Sequence, residues 1–412
     1  NFINYFTLAC IIPIGYFAPL GEWILISFLA LATLIITLVN KTKLNYENFY
    51  LFLMLIIVVC LSFYWSINPF RTQEVIGPIS CIILAIFIVL NISSTYMVNQ
   101  LENVIGIPII IISICILLDL VFNTEIRSSL AILAGDKPTS LAGNYGRGIV
   151  ILTMIMPLSI ACYLNKKKIL PAVVVIFLVT LTIILGPNDS AKLALFCAFI
   201  SSLIVYFLGP RSFLYFGIIS LIFIIFLPIF SSKILPKLSQ IKVSIDITKP
   251  CTENRLESAY WKKIPETNNC IRNMEWQETS IGGSIIHRFL VWEFVGNEIY
   301  NRPFLGHGAG TSRLIGQNVI LNIPNTKDEI MGGIPLHPHN NFLEIWLELG
   351  LIGIITISII WIKVILLGFK IRKKSYIIGT GVCSSIITIF VISNLSFGVS
   401  QAWWMASIGL IF

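Results

Sequence analysis

The chain's four histidines, His287, His307, His337 and His339, all lie within one stretch of 53 residues out of 412, about an eighth of the chain. Two of them belong to HPHNNFLEIWLELGLIG (337–353), where a long polar segment runs directly into an apolar helix. A neutral imidazole near pH 7 can take a proton from a hydroxyl, which is the work of a general base. The local spacing predicts how such a base is set. With Asn341 as helix N-cap, Glu344 falls at N3 of a capping box. The positive end of that helix then faces His339 and disfavours its imidazolium form. Glu344 and Glu348, four residues apart, share one helical face. Carboxylates at that depth must pair or line a wet cavity, so one of them is expected to orient the imidazole or a basic residue. The competing reading makes His339 only a polar residue at the membrane interface. His337, two residues earlier and beyond Pro338, reads as supporting or structural.

Three cations form a second set. Lys192 follows GPNDS (186–190), Arg147 follows AGNYG (142–146), and Arg288 opens an amphipathic stretch. All three are expected on the same membrane face, where they could converge on one anion; Arg grips phosphate oxygens with two prongs, Lys as a point charge. The alternatives are snorkelling to lipid headgroups and, for Lys192, a structural ion pair with Asp189. Arg302 and Arg313 bracket the glycine turn GHGAG (306–310) and rank lower. The sequence has no Walker A or Rossmann fingerprint, and HPH is too little for a zinc site. No cofactor and no metal are therefore expected, and the chemistry must be driven by an activated substrate arriving in the membrane.

These residues need a scaffold, and composition says which kind. Hydrophobic residues make up 56% of the chain and charged ones 12%, with a mean hydropathy of +0.88; a soluble domain carries roughly 25% charged residues. Repeated apolar runs predict an all-α polytopic membrane protein with about twelve transmembrane helices. The expected spans are 3–20, 22–39, 49–67, 76–92, 104–122, 147–164, 168–186, 191–208, 212–230, 342–367, 376–398 and 400–412. The last is read as cut short, with both chain ends trimmed. Lys41, Lys43, Lys166–Lys168, Arg211, Lys370 and Arg372–Lys374 fall in alternate loops, which places those loops in the cytoplasm. The loop at 93–103 has no Lys or Arg and is silent on this point. The organisation expected is a bundle over 1–230, a large outward loop over 231–341 carrying active-site elements, and C-terminal spans over 342–412. Within the loop, 289–300 predicts an amphipathic helix lying on the bundle. Seven cysteines lie in spans; Cys251 and Cys270 lie in the loop, where an outward compartment favours a disulfide over two free thiols.

HNNFLEIWLELGLIG (339–353) and RFLVWEFVGNEIYNRPFLGHGAG (288–310) resemble the bacterial O-antigen ligase and O-antigen polymerase superfamily of envelope glycosyltransferases, and NDSAKLAL (188–195) is a weaker match. The resemblance implies a GT-C-like, metal-independent, inverting transferase in the bacterial inner membrane, with a periplasmic active site. Its donor would be a glycan on undecaprenyl diphosphate and its acceptor lipid A-core, as in lipopolysaccharide biosynthesis. By the same resemblance His339 is the base, followed by Asn340 of the family's His-Asn pair, and Arg288 and Lys192 bind the diphosphate. Lys192 stands where the family has arginine and lacks its two-pronged grip. Arg147 joins them by topology. The ligase is the favoured member; a polymerase and a protein O-oligosaccharyltransferase differ only in acceptor. A lipid-linked oligosaccharide transporter would need ionisable residues through the mid-bundle and pseudo-symmetric halves, and neither is visible.

Overall fold

The computed structural model describes residues 2–39, 49–90, 101–122, 129, 132, 142–236, 245–250, 262–263, 269–274, 283–317, 319–322, 329–331, 333–334 and 336–411. Helices dominate, because backbone groups in lipid have only each other to bond. The membrane-type helices are α1 (Phe2–Phe17), α2 (Glu22–Val39), α3 (Phe49–Leu61), α4 (Pro69–Val89), α5 (Leu101–Val121), α6 (Ala142–Asn165), α7 (Ile169–Leu185), α8 (Asp189–Leu208) and α9 (Pro210–Ile229). After them comes α10 (Gly283–Asn301), which lies on the bundle as expected, and the short α11 (Ser312–Ile315). The chain closes with α12 (Asn341–Lys374), α13 (Tyr376–Ser393) and α14 (Ala402–Ile411). Eight of the helical segments are long and apolar enough to cross a membrane, so the chain is a multi-pass membrane protein. Small antiparallel sheets are additions that an all-α expectation lacks. One runs β1 (Ile245–Pro250), β3 (Asn269–Met274), β2 (Lys262–Lys263); the other pairs β4 (Ile320–Asn322) with β5 (Glu329–Met331). Cys251, and with it the pairing to Cys270, lies outside the described residues.

Two helices form the centre. The span within α6 is 78% buried and α13 is 67% buried, against 28–39% for the other long spans, whose outer faces are left for lipid. Ile149, Val150, Leu152 and Met154 of α6 pack on α1, α5 and α7, and α13 packs on α6 and α8. Lys168 pairs with Glu102 at 3.3 Å, which puts the start of α5 on the same face as the triple-lysine turn. On that basic face Arg372, buried, donates to the carbonyls of Val205 and Tyr206 at the C-terminal end of α8.

The opposite face carries the departure that matters most. The expected span at 342–367 is not one helix. At Gly350 the backbone turns to φ +60°, ψ −156°, separating residues 341–349 from 351–374. The second piece alone is roughly 36 Å long at about 1.5 Å per residue, enough for a hydrocarbon core of about 30 Å. The first piece lies across the bundle: Phe342 touches Phe390 near the end of α13, while Leu349 packs on Val58 and Val59 near the end of α3. Residues 341–350 are all buried. The break would orphan four backbone groups, each costing several kcal/mol in lipid. All four are taken up. His307 and Gly308 donate to the carbonyls of Leu347 and Glu348, and Leu351 and Ile352 donate to Pro303 and Phe304. The exchange needs close backbone approach: a Cβ on Gly306 would sit 2.5 Å from the Glu348 carbonyl, and one on Gly350 2.5 Å from that of Phe304.

Candidate active site

His339 is placed by the residue after it. Asn340, not Asn341, is the N-cap of α12; its side-chain oxygen accepts from the N–H groups of Phe342 (3.0 Å) and Leu343 (3.1 Å). Its amide nitrogen reaches Asn394, at 3.2 Å from the carbonyl and 3.3 Å from the side-chain oxygen. The register moves by one, so Glu344 is not the N3 partner of a capping box; its N–H instead bonds the Asn340 carbonyl at 3.0 Å. With two consecutive asparagines, the one whose side chain also finds a partner at Asn394, just past the end of α13, takes the cap. His339, just before it, adopts φ +56°, a left-handed conformation uncommon outside glycine. That turn aims the ring so that Nδ1 lies 2.8 Å from the Ser396 carbonyl. A carbonyl only accepts, so Nδ1 carries the proton and Nε2 keeps its lone pair. Burial holds the imidazole below its ordinary value, the Ser396 bond partly offsets this, and Arg288 and His287 push it down further. Neutral at physiological pH, it is a proton acceptor.

His337 supports this geometry. It is buried, its ring stands edge-on to that of His339 with centroids 4.3 Å apart, and its Nδ1 accepts from the His339 N–H at 3.1 Å. Burial first, then the neighbouring His339 and Arg288, push it down to about 3. Trp292 of α10 donates to the Pro338 carbonyl at 2.7 Å, pinning the same segment from the other side.

The two glutamates do something other than orient an imidazole or a cation directly. Glu344, fully buried, accepts from the Val399 N–H (2.6 Å) and the Ser400 hydroxyl (2.8 Å). Glu348 accepts from the N–H groups of Gly310 (2.8 Å) and Ser312 (3.1 Å), fixing the glycine turn. Residues 341–349 thus carry one loop at each end. Glu348, His307, Arg302 and Arg313 belong to the far end, about 13 Å from His339 along the helix axis. There the Arg302 guanidinium donates to the Trp65 carbonyl at 3.3 Å and Arg313 is exposed.

The cations connect to His339 by different routes. Arg288, partly buried near the start of α10, lies within electrostatic reach of His337 and His339, and the Asp189 carboxylate within reach of Arg288. Lys192 pairs with Asp189 at 3.2 Å, so the ion-pair reading holds for it in this state. Asn188 caps α8 through the Ala191 N–H and donates to the Gly146 carbonyl at 3.2 Å, joining α8 to the start of α6. Next along α6, the Arg147 guanidinium stands 5.2 Å over the Trp403 ring. Trp403 meets Phe397 edge-on at 4.7 Å, and Phe397 adjoins Ser396, the partner of His339. Of the three cations, Arg288 acts on His339 directly, Lys192 is linked to Arg288 through Asp189, and Arg147 to the Ser396 turn through Trp403 and Phe397. Among the described residues no three His, Cys, Asp or Glu side chains gather as a metal's ligand set.

Sequence reasoning missed the turn at 394–401, which supplies Asn394, Ser396 and Ser400. It was hidden by the expected spans 376–398 and 400–412, whereas α13 ends at Ser393 and α14 begins at Ala402. Its signal was the polar interruption Asn394, Ser396, Gly398, Ser400, Gln401 in an otherwise apolar stretch.

Residues 173–358 match the family described as O-antigen ligase. That region contains Lys192, Arg288, the glycine turn, His337 to Asn340, both glutamates and the Gly350 break. A protein of Rickettsia felis named as a candidate polysaccharide ligase is 36% identical over 124 residues. Similarly named proteins of Rickettsia conorii and Rickettsia prowazekii are each 33% identical over 126 residues. Each match covers 30% of this chain, and it spans about 30% of the length of the relatives. Matched through residues 173–358, which hold His339 and most of what surrounds it, the chain carries a domain of the O-antigen ligase superfamily.

Proposed function

We propose that this protein is an O-antigen ligase: a GT-C-like, inverting, metal-independent glycosyltransferase of the bacterial inner membrane. In this reading the site face is periplasmic, the donor is a glycan on undecaprenyl diphosphate, and the acceptor is a hydroxyl of lipid A-core. The observation that carries the proposal is His339 with Nδ1–H committed to the Ser396 carbonyl, leaving Nε2 as proton acceptor beside Arg288. Nε2 takes the acceptor hydroxyl's proton as its oxygen attacks the anomeric carbon from the side opposite the diphosphate. The new C–O bond forms as the bond to the diphosphate breaks, which inverts the centre. Arg288, Arg147 and Lys192 neutralise the departing charge; for Lys192 the diphosphate replaces Asp189 as partner. The energy is stored in the donor's sugar–diphosphate bond, so no nucleotide is consumed at the site.

The acceptor is tested in cells lacking the gene. A ligase defect leaves full-length polymer on the lipid carrier and none on lipid A-core. A single repeat unit attached to lipid A-core would instead identify a polymerase and overturn the assigned acceptor.

A further inference from the structure

The turn between α13 and α14 meets His339 through a backbone carbonyl, and the side chains of Asn340 and Glu344 hold that turn. Asn340 donates to the Asn394 carbonyl, and Glu344 accepts from the Val399 N–H and the Ser400 hydroxyl. Those contacts bracket Ser396, whose carbonyl receives the His339 Nδ1–H. Gly398 lies between them without slack: a Cβ there would stand 2.6 Å from a Glu344 oxygen and 2.8 Å from the His337 Cβ. An imidazole in water favours the Nε2–H tautomer modestly, the opposite of the one this carbonyl selects. We infer that Glu344, with Ser400 and Asn394, is a positioning group: it clamps the 394–400 turn so that Ser396 fixes the tautomer of His339. The carboxylate never touches substrate. It suits the role because it offers several acceptor lone pairs to two donors on one short turn. The assignment deepens the reading of His339 as base, and the spectroscopic half of its test stands without that reading.

The geometry gives His307, His337 and His339 each a tautomer that can be read by nitrogen NMR. His339 and His307 carry the proton on Nδ1, the latter facing the Leu347 carbonyl at 3.0 Å. His337 accepts at Nδ1 and so carries its proton on Nε2. The full chain, labelled with 15N-histidine in nanodiscs, is compared with Glu344→Leu, Glu344→Gln and Ser400→Ala; the His339 signal is the one absent from His339→Gln. In Glu344→Leu the His339 signal should leave the Nδ1–H tautomer while His307 keeps it, and transfer should fall by about 10- to 100-fold through kcat, with donor KM little changed. Glu344→Gln should restore both readouts, because its carbonyl accepts from Val399 and its amide donates to the Ser400 oxygen. An unchanged His339 tautomer in Glu344→Leu overturns the clamp. If that variant does not insert, Ser400→Ala decides: loss of the Nδ1–H tautomer supports the clamp, and its full retention overturns it. A shifted tautomer with undiminished transfer leaves the clamp standing and removes His339 as base.

Discussion

His339 combines a left-handed backbone, a committed Nδ1–H and a buried ring, and each follows from a neighbour rather than from the histidine itself. Asn340 takes the cap, His337 receives the His339 N–H, and Ser396 takes the ring proton. Both imidazoles are held neutral mainly because burial penalises their charged forms. This has a consequence for stability. His337 titrates at about 3 in the fold against 6.5 for an ordinary histidine. Between those values the unfolded chain binds more protons than the folded one, so stability is complete above the ordinary value and declines as pH falls through the window. The thermal unfolding temperature in detergent should therefore drop as pH goes from about 7 to about 4. His337→Gln, which can still accept the His339 N–H through its side-chain oxygen, should blunt that drop; an identical pH dependence would assign it to other groups.

At the scale of elements, the buried helix 341–349 ties the site to the glycine turn, and its existence depends on two backbones in contact. Gly350→Ala should be severe. It places a side chain at φ +60° and drives a Cβ into the Phe304 carbonyl; a backbone strain of about 1–3 kcal/mol precedes any cost of the clash. Gly77→Ala is the matched control, since a Cβ there meets nothing within 4 Å and the α4 helix gains from alanine. Thermal unfolding of the two variants should move in opposite directions; equal, small effects would mean that the Gly350 break is not structurally required. This break also marks where reading the sequence stops. Of the about twelve spans expected, the eight long apolar helices were legible because length and apolarity alone decide them, and the Lys192–Asp189 pair because three residues of helix bring such groups together. LELGLIGII reads as the continuation of one helix across Gly350, since the four backbone bonds that permit the break come from residues 40 to 48 positions earlier. The cap was misplaced by one because Asn340 and Asn341 are equivalent until the turn after α13 supplies Asn394. The 394–401 turn stayed hidden because Phe397 and Val399 keep its surroundings apolar.

Across the whole molecule, the two faces divide the work. One is basic and structural, with the lysine turn joined to Glu102 and Arg372 buried against the end of α8. The other holds His339 between the starts of α10 and α12 and the α13–α14 turn, with the starts of α6 and α8 linked to it through Trp403 and Asp189. Most of the site falls within residues 173–358, the region matching the O-antigen ligase family, whereas Arg147, Ser396 and Trp403 lie outside it. Transfer is therefore expected to need the complete bundle. The most direct measurement is glycan transfer in proteoliposomes holding the purified full chain, undecaprenyl-diphosphate-linked glycan and lipid A-core, with His339→Gln beside the wild type. The wild type should form the glycan–lipid conjugate, and His339→Gln should lose about 100-fold or more of the rate while still inserting and binding donor, the usual scale for removing a general base. Transfer by His339→Gln at the wild-type rate would contradict the assignment of His339 as the base.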